Sequence, residues 1–203
     1  TFEPLFDDRP VFSIGDIAIA PSAPDVIYVG TGEANNQRSS YHGDGVHKST
    51  DGGRTWQHVG LEGSDHIGRI VVHPTNPDIV FVAALGALYR ANDERGLYRS
   101  TDGGTSWHCV KHIDADVGFV DVAIDPRNPQ TLLAASYDRR RRAWDFRDEG
   151  PGSKLWRSSD GGESWAEVDG IPGGAIGRIG IAIHPVETEI CYAIVENNNP
   201  APP

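Results

Sequence analysis

The sequence predicts an all-β chain that forms part of a β-propeller of four-stranded antiparallel blades. Three observations predict it: a nine-residue motif that occurs three times, an apolar motif that recurs at the same interval, and a composition rich in turn formers. The 203 residues include 24 glycines and 14 prolines, which helices disfavour. A repeat of roughly 40–50 residues with several short strands is typical of a propeller blade.

The first motif combines a serine, an aspartate, two glycines and a tryptophan. Its copies are KSTDGGRTW (48–56), RSTDGGTSW (99–107) and RSSDGGESW (157–165). Asp and Ser oxygens accept hydrogen bonds from the N–H groups of a tight turn, glycine allows positive φ, and tryptophan provides a large apolar surface. We therefore expect these residues to brace hairpins and to take no part in catalysis. They are Ser49, Asp51, Gly53, Trp56, Ser100, Asp102, Gly104, Trp107, Ser158, Asp160, Gly162 and Trp165.

The second motif supplies the first strand of each blade. It occurs as IGDIAIAP (14–21) and IGRIVVHP (67–74), with related segments at 117–126 and 176–185. Each copy is followed by a polar turn and a second apolar run, so that each unit contains four short strands. We predict that residues 1–203 are part of one propeller. Its blades cover approximately 11–60, 65–112 and 117–170, a partial blade covers 176–197, and 198–203 is a linker or loop.

The first motif resembles the Asp-box, or BNR, repeat of sialidases, xyloglucanase-type glycosidases and sortilin-type receptors. Four further segments resemble large bacterial proteins described as sortilin-like or as glycosyl hydrolases with BNR repeats: 28–36, 43–46, 66–69 and 139–144. The resemblance covers residues 11–197 and implies a propeller. It carries over no catalytic set, because the sialidase arginine triad and the xyloglucanase catalytic aspartate have no match here.

Strand order assigns the connecting loops to two ends of the blades. The turns between strands one and two and between strands three and four share one end, where they are short and nearly identical. The loops 31–45, 86–96 and 137–154 lie at the other end, which we call the loop face, and are long and dissimilar. Binding residues concentrate in such loops. We predict ligand-binding residues at Glu33, Asn36, Arg38, His42, Asp44, His66, Arg69, Glu94, Arg95, Arg142, Trp144 and Asp145.

These residues favour a carbohydrate ligand. Carboxylates from neighbouring blades suit glycoside cleavage, and an arginine beside Trp144 suits a sugar or an acidic ligand. The leading hypothesis is an extracellular propeller that binds, or also cleaves, glycan or polysaccharide. The alternatives are a non-catalytic sortilin-like module that binds peptides or proteins, and a purely structural module. An aromatic platform that includes Trp144 would favour a sugar over a peptide.

Charge and composition argue against other classes of ligand and site. A net charge of −11 disfavours nucleic acid, and no apolar run approaches the roughly 18 residues of a membrane span. Zinc-type ligand spacing is absent, so we expect no metal and no cofactor, although Asp44 or Asp65 with backbone carbonyls would suit calcium. Cys109 and Cys191 fall on non-equivalent strands, which predicts buried free thiols and no disulfide.

Three and a half blades do not close a ring, and an open arc exposes apolar flanks and strand edges. We therefore expect the remaining blades to come from another segment of the same parent protein or from partner chains. A protein of this kind is expected to be secreted, periplasmic or attached to the cell surface.

Overall fold

The structure, a computed structural model, describes residues 3–35, 37 and 39–199. Its regular elements are strands, apart from a short 3-10 turn at Glu62–Ser64. The strands are β1 (Ile14–Ile19), β2 (Ile27–Thr31), β3 (Val46–Ser49), β4 (Gln57–His58), β5 (Ile67–Val72), β6 (Val80–Ala84), β7 (Gly96–Ser100), β8 (His108–Lys111), β9 (Val117–Ile124), β10 (Leu132–Asp138), β11 (Arg140–Arg141), β12 (Phe146–Arg147), β13 (Leu155–Ser158), β14 (Ala166–Glu167), β15 (Ile176–Ile183) and β16 (Cys191–Asn197).

The strands form antiparallel sheets of the kind that the repeat predicts. Blade 1 has the strand order β1-β2-β3-β4, blade 2 the order β5-β6-β7-β8 and blade 3 the order β9-β10-β13-β14, while β15 and β16 pair as the start of blade 4. The first strands of successive blades contact one another. The sequence did not predict β11 and β12, which form a separate two-stranded hairpin between β10 and β13.

The apolar core lies between the blades. One buried cluster, which includes Tyr28 and Ile70, joins blade 1 to blade 2, and a second, which includes Phe81 and Phe119, joins blade 2 to blade 3. A third cluster, with Ile176, joins blade 3 to β15. Because strand residues alternate between the two faces of a sheet, each blade presents apolar side chains to both neighbours. Burial of each large side chain contributes about 1.5–3 kcal/mol.

The aspartate hairpins, the turns at 49–56, 100–107 and 158–165, are braced as the sequence predicts. In the second hairpin the Ser100 hydroxyl donates to Asp102 Oδ1 at 2.8 Å and accepts the Gly104 N–H at 2.8 Å. The hydroxyl of Ser106 donates to the other Asp102 oxygen at 2.6 Å. The other two hairpins repeat this pattern. These aspartates are therefore acceptors within their own turns.

Two of the hairpin tryptophans donate to segments outside their own blade. The Trp107 indole N–H donates to the carbonyl oxygen of Val59 in blade 1, at 2.7 Å. In blade 1 the equivalent Trp56 donates to the carbonyl oxygen of Leu5, also at 2.7 Å. The segment before β1 thus occupies the position that strand four of a preceding blade would take.

Aspartates on the first strands link adjacent blades. A carboxylate oxygen of Asp16 in β1 accepts the backbone N–H of Ile70 in β5 at 2.7 Å. Asp121 in β9 accepts the N–H of Ile181 in β15 at 2.8 Å. Arg69 lies between them, with Nη1 3.5 Å from Asp16 and Nε 3.0 Å from Asp121. Each of these aspartates therefore completes a backbone hydrogen bond of the next blade.

The cysteines are free, as expected, but exposed and not buried. Cys109 lies on the outer strand β8, and Cys191 lies on β16, which pairs only with β15. The described part of the chain contains no helix long and apolar enough to cross a membrane.

Candidate functional site

The long loops meet at one end of the blades. The backbone N–H of Arg141 donates to the Leu88 carbonyl at 2.9 Å, which joins the third long loop to the second. The Asn92 side chain donates to the Gly63 carbonyl at 2.9 Å, which ties the second loop to the connection between blades 1 and 2. Similar contacts make the loop face one continuous surface.

Arg95, predicted as a ligand-binding residue, lies inside the protein with no exposed surface. Its guanidinium donates to the carbonyl oxygens of Leu85 at 3.0 Å and Asp116 at 3.2 Å, and also to that of Ala87. Burial lowers the pKa of Arg95 to about 10. Because its donors are directed at backbone carbonyls, Arg95 braces the loops and is not available to a ligand, which corrects the prediction.

His66 and Arg139 occupy the same interior layer beneath the loops. His66 is buried, and burial together with the nearby charge of Arg139 lowers its pKa to about 3, so that the imidazole is neutral at physiological pH. Arg139 is fully buried and donates to the carbonyl oxygens of Asn35 and Gly86, each at 3.3 Å. His66 is therefore packed in the protein interior, and this position gives no support to its predicted role in ligand binding.

The other predicted residues are dispersed. Asn36 and Arg38 lie outside the described residues. Arg69 lies on β5 between two inter-blade aspartates and not in a loop, while His42 and Glu94 are exposed and Glu33 is half-buried. Asp44 lies beside His47, described below. The structure thus does not gather the ten predicted residues that it describes into one cluster.

Three of the predicted residues, Arg142, Trp144 and Asp145, do line one groove of about 480 Å³, at the tip of the β11–β12 hairpin. Trp144 is 84% exposed, and Tyr89 and Phe146 line the same groove, which we call the aromatic groove. The Arg141 guanidinium lies 4.5 Å from the centre of the Phe146 ring. The pair Arg142 and Asp145, 3.6 Å apart, completes the lining. Exposed rings beside a few polar groups are typical of a ligand site.

Ion pairs anchor the base of this hairpin. Arg140 Nη1 lies 3.1 Å from an Asp116 oxygen, and Arg147 Nη2 lies 2.9 Å from Asp116 and 3.0 Å from Asp138. Arg140 and Arg147 are themselves paired across the hairpin. Arg147 and Asp138 were not predicted as partners, because only the hairpin brings them together.

Asp116 and Asp138 form a pair of carboxylates on the loop face. Their contacting oxygens share one guanidinium nitrogen and so lie no more than about 6 Å apart, which leaves no room for the wider separation, roughly 6.5–9.5 Å, of inverting glycosidases. Burial raises the pKa of Asp138, while Arg147 opposes the rise. Since the Arg147 guanidinium contacts both carboxylates, the arrangement favours anchorage of the hairpin over attack on a substrate.

Comparison with known proteins points to enzymes that act on xyloglucan. No family model matches the sequence. The chain is 27% identical to a xyloglucanase of Paenibacillus sp. over an alignment of 201 positions, which covers 87% of this chain and 18% of that protein. It is 24% identical to a xyloglucanase of Acetivibrio thermocellus over an alignment of 204 positions, which covers 86% of this chain and 22% of that protein. The chain thus spans about a fifth of these relatives.

Solved structures agree with the fold. An ancestral GH74 enzyme superposes with a TM-score of 0.67 at 23% identity, covering 90% of this chain and 22% of that one. The GH74 xyloglucanase of Xanthomonas campestris gives 0.61 at 19% identity, covering 87% and 26%. The predicted fold class, an all-β segment of four-stranded blades, is confirmed, whereas the sortilin-like and BNR identification remains a prediction. The chain is similar to part of the β-propeller of GH74 xyloglucanases.

Proposed function

We propose that this chain is a polysaccharide-binding part of a propeller and that the aromatic groove holds the glycan. The observation that carries the proposal is the exposure of Trp144 beside Tyr89 and Phe146 on an anchored hairpin. Sugar rings present apolar C–H faces that pack on aromatic side chains, and their hydroxyl groups bond to polar neighbours. The similarity to xyloglucanases supports a xyloglucan-type backbone as the ligand.

The charge of the groove supports a neutral glycan. Arg142 is offset by Asp145, and Arg141 lies over the Phe146 ring. An acidic polysaccharide would also meet a chain with a net charge of −11. The groove therefore suits a neutral β-glucan better than a polyanion.

Calorimetric titration with soluble xyloglucan tests the proposal, with dextran as the control polysaccharide. We expect Trp144→Ala to weaken xyloglucan binding about tenfold, because one stacking surface is lost. Phe12→Ala is the matched control, since Phe12 is 77% exposed and lies outside the groove. Equal affinity of the parent chain and of Trp144→Ala for xyloglucan would disprove the proposal that the aromatic groove binds the glycan. Binding of peptides but of no polysaccharide would support the sortilin-like alternative instead.

We propose that cleavage, where the parent protein performs it, requires blades beyond this chain. The relatives are about five times as long, and the Asp116–Asp138 pair is held by Arg147. We expect this chain to bind xyloglucan without releasing reducing ends. If the parent chain and Asp93→Asn release reducing ends from xyloglucan but Asp138→Asn does not, the Asp116–Asp138 pair is catalytic.

The exposed flank of β16 supports further blades as partners. Tyr192 and Ile194 are 65% and 79% exposed, and Tyr192 also lines an apolar groove of about 470 Å³ between β16 and blade 3. The extracellular location proposed for the parent protein follows from the polymeric substrate that the relatives' names imply. Light scattering tests whether the flank of β16 binds another blade. We expect the chain to self-associate and Ile194→Glu to reduce the self-association. A monomer at 22.0 kDa would contradict this role of the flank.

A further inference from the structure

Outside the aromatic groove, blade 1 contains a cluster of metal-ligand side chains. Asp44, His47 and His58 each place one ligand atom within 4.8 Å of the others, the one such grouping within 3–35, 37 and 39–199. His47 and His58 face each other across β3 and β4, and Asp44 lies at the start of the same hairpin. From this geometry we propose that Asp44, His47 and His58 bind a zinc-type divalent transition-metal ion.

The ligand atoms are already oriented towards one another. Nε2 of His47 donates to Asp44 Oδ1 at 2.8 Å, and Nε2 of His58 donates to the Asp44 carbonyl at 2.6 Å. The hydroxyl of Thr31 accepts the Asp44 N–H at 2.8 Å, which fixes the backbone from which the carboxylate extends. Two imidazoles and one carboxylate form a common ligand set for Zn²⁺, with bonds of about 2.0–2.2 Å.

The surroundings of His47 leave Nε2 as its ligand atom. His47 is buried, with 2% of its side chain exposed, and its Nδ1 has no hydrogen-bond partner. Because the two ring nitrogens point in divergent directions, an ion beside Asp44 would be bound by Nε2 of His47 and not by Nδ1. The Phe6 ring packs edge-on against His47 with centroids 5.1 Å apart, so that bulk water does not reach this side.

The other blades show that blade 1 departs from the repeat here. The position of His47 is taken by Tyr98 in blade 2 and by Trp156 in blade 3, and both pack against the inter-blade core. Packing therefore requires an aromatic ring at this position but no ligand atom. Of the described blades, only blade 1 combines an imidazole there with a second imidazole across the hairpin and a carboxylate three residues earlier.

The carboxylate of Glu62 lies 3.7 Å from His58 Nδ1 and is 72% exposed. It is available as a partner for this second ring nitrogen of His58, while Nε2 faces Asp44. Such outer contacts orient a metal-bound imidazole. The site is thus open to solvent on the His58 side and closed on the His47 side, an arrangement that leaves a coordination position for water.

Titration of the full chain with Zn²⁺ tests the proposal. The chain is prepared without a histidine tag and stripped with a chelator. We expect 1:1 binding and a rise in the thermal midpoint with Zn²⁺ but not with Mg²⁺, because imidazole prefers the later transition metals. His58→Gln and His47→Phe are expected to weaken binding about tenfold or more. His47→Phe keeps an aromatic ring, as the other blades do, so the fold is preserved.

The matched control is His108→Gln, because His108 is exposed on strand four of blade 2. It should bind Zn²⁺ as the parent does. A titration without a 1:1 inflection would overturn the proposal, and so would unchanged affinity in both cluster variants. Equal loss in the His108→Gln control would show adventitious surface binding. With Co²⁺ in place of Zn²⁺, a visible absorption band lost in His58→Gln would give independent support.

Discussion

Replacement of Arg95 by methionine tests whether a buried guanidinium holds the loop face together. Arg95 has no exposed surface and donates to the carbonyls of Leu85, Ala87 and Asp116. Each hydrogen bond from a charged donor contributes about 1.5–3 kcal/mol, and the desolvation of the guanidinium offsets part of the sum. The substitution also leaves these carbonyls, and that of Arg90, without this donor. We expect a loss of about 3–5 kcal/mol, as for the removal of one member of a buried charged network.

Urea denaturation followed by tryptophan fluorescence measures this loss. A decrease of this size is a large fraction of the about 5–15 kcal/mol that stabilises a typical domain. Arg90→Met is the matched control: Arg90 is exposed and pairs with Asp65 at 3.3 Å, so its removal should cost less than about 1 kcal/mol. If the two variants unfold at the same urea concentration, the assignment of Arg95 as a structural brace is wrong.

Two further predictions concern the aspartate hairpins. Hydrogen bonds from the neighbouring hydroxyl and N–H groups lower the pKa of Asp51 and of Asp102 to about 2, so their contribution to stability should be complete above pH of about 4 and lost as the pH falls towards 2. Urea midpoints between these pH values check this, and Asp102→Asn should reduce the acid-dependent loss. A Cβ at Gly162, where φ is 86°, would lie 2.4 Å from the Phe81 ring, whereas at Gly170, with φ 88°, it would meet nothing within 4 Å. Gly162→Ala should therefore lower the unfolding free energy by about 1–3 kcal/mol more than Gly170→Ala, and equal midpoints would contradict the contact.

The fold was predictable because its signal is repeated. Three copies of one turn and four copies of one apolar run define strands whose order a propeller blade explains. The β11–β12 hairpin was not predictable, because its strands have two residues each and the arginines there carry no alternation of polar and apolar positions. The aromatic groove follows only in part from the sequence: Trp144 was predicted, but Tyr89 reaches it through contacts between loops.

The positions of charged residues were harder to predict than the strands. Arg95 and His66 were expected to bind a ligand because charged loop residues are mostly exposed. Here the loops fold over a layer of backbone carbonyl groups, and these buried carbonyls require hydrogen-bond donors. The guanidinium of Arg95 supplies several donors at once. The cluster of Asp44 and His58 was missed because these residues are 14 positions apart and meet only through the register of β3 and β4.

The carboxylates that accept backbone N–H groups from the next blade have a consequence for hydrogen exchange. The amides of Ile70 and Ile181 are protected by Asp16 and Asp121, which belong to neighbouring blades. Their exchange with deuterated solvent would therefore report the undocking of two blades, even while each sheet keeps its own ladder. In an array of blades, each interface between neighbours adds its own protection against hydrogen exchange. The amides that exchange most slowly therefore mark the interior blades, and those that exchange fastest mark the end at which the array opens.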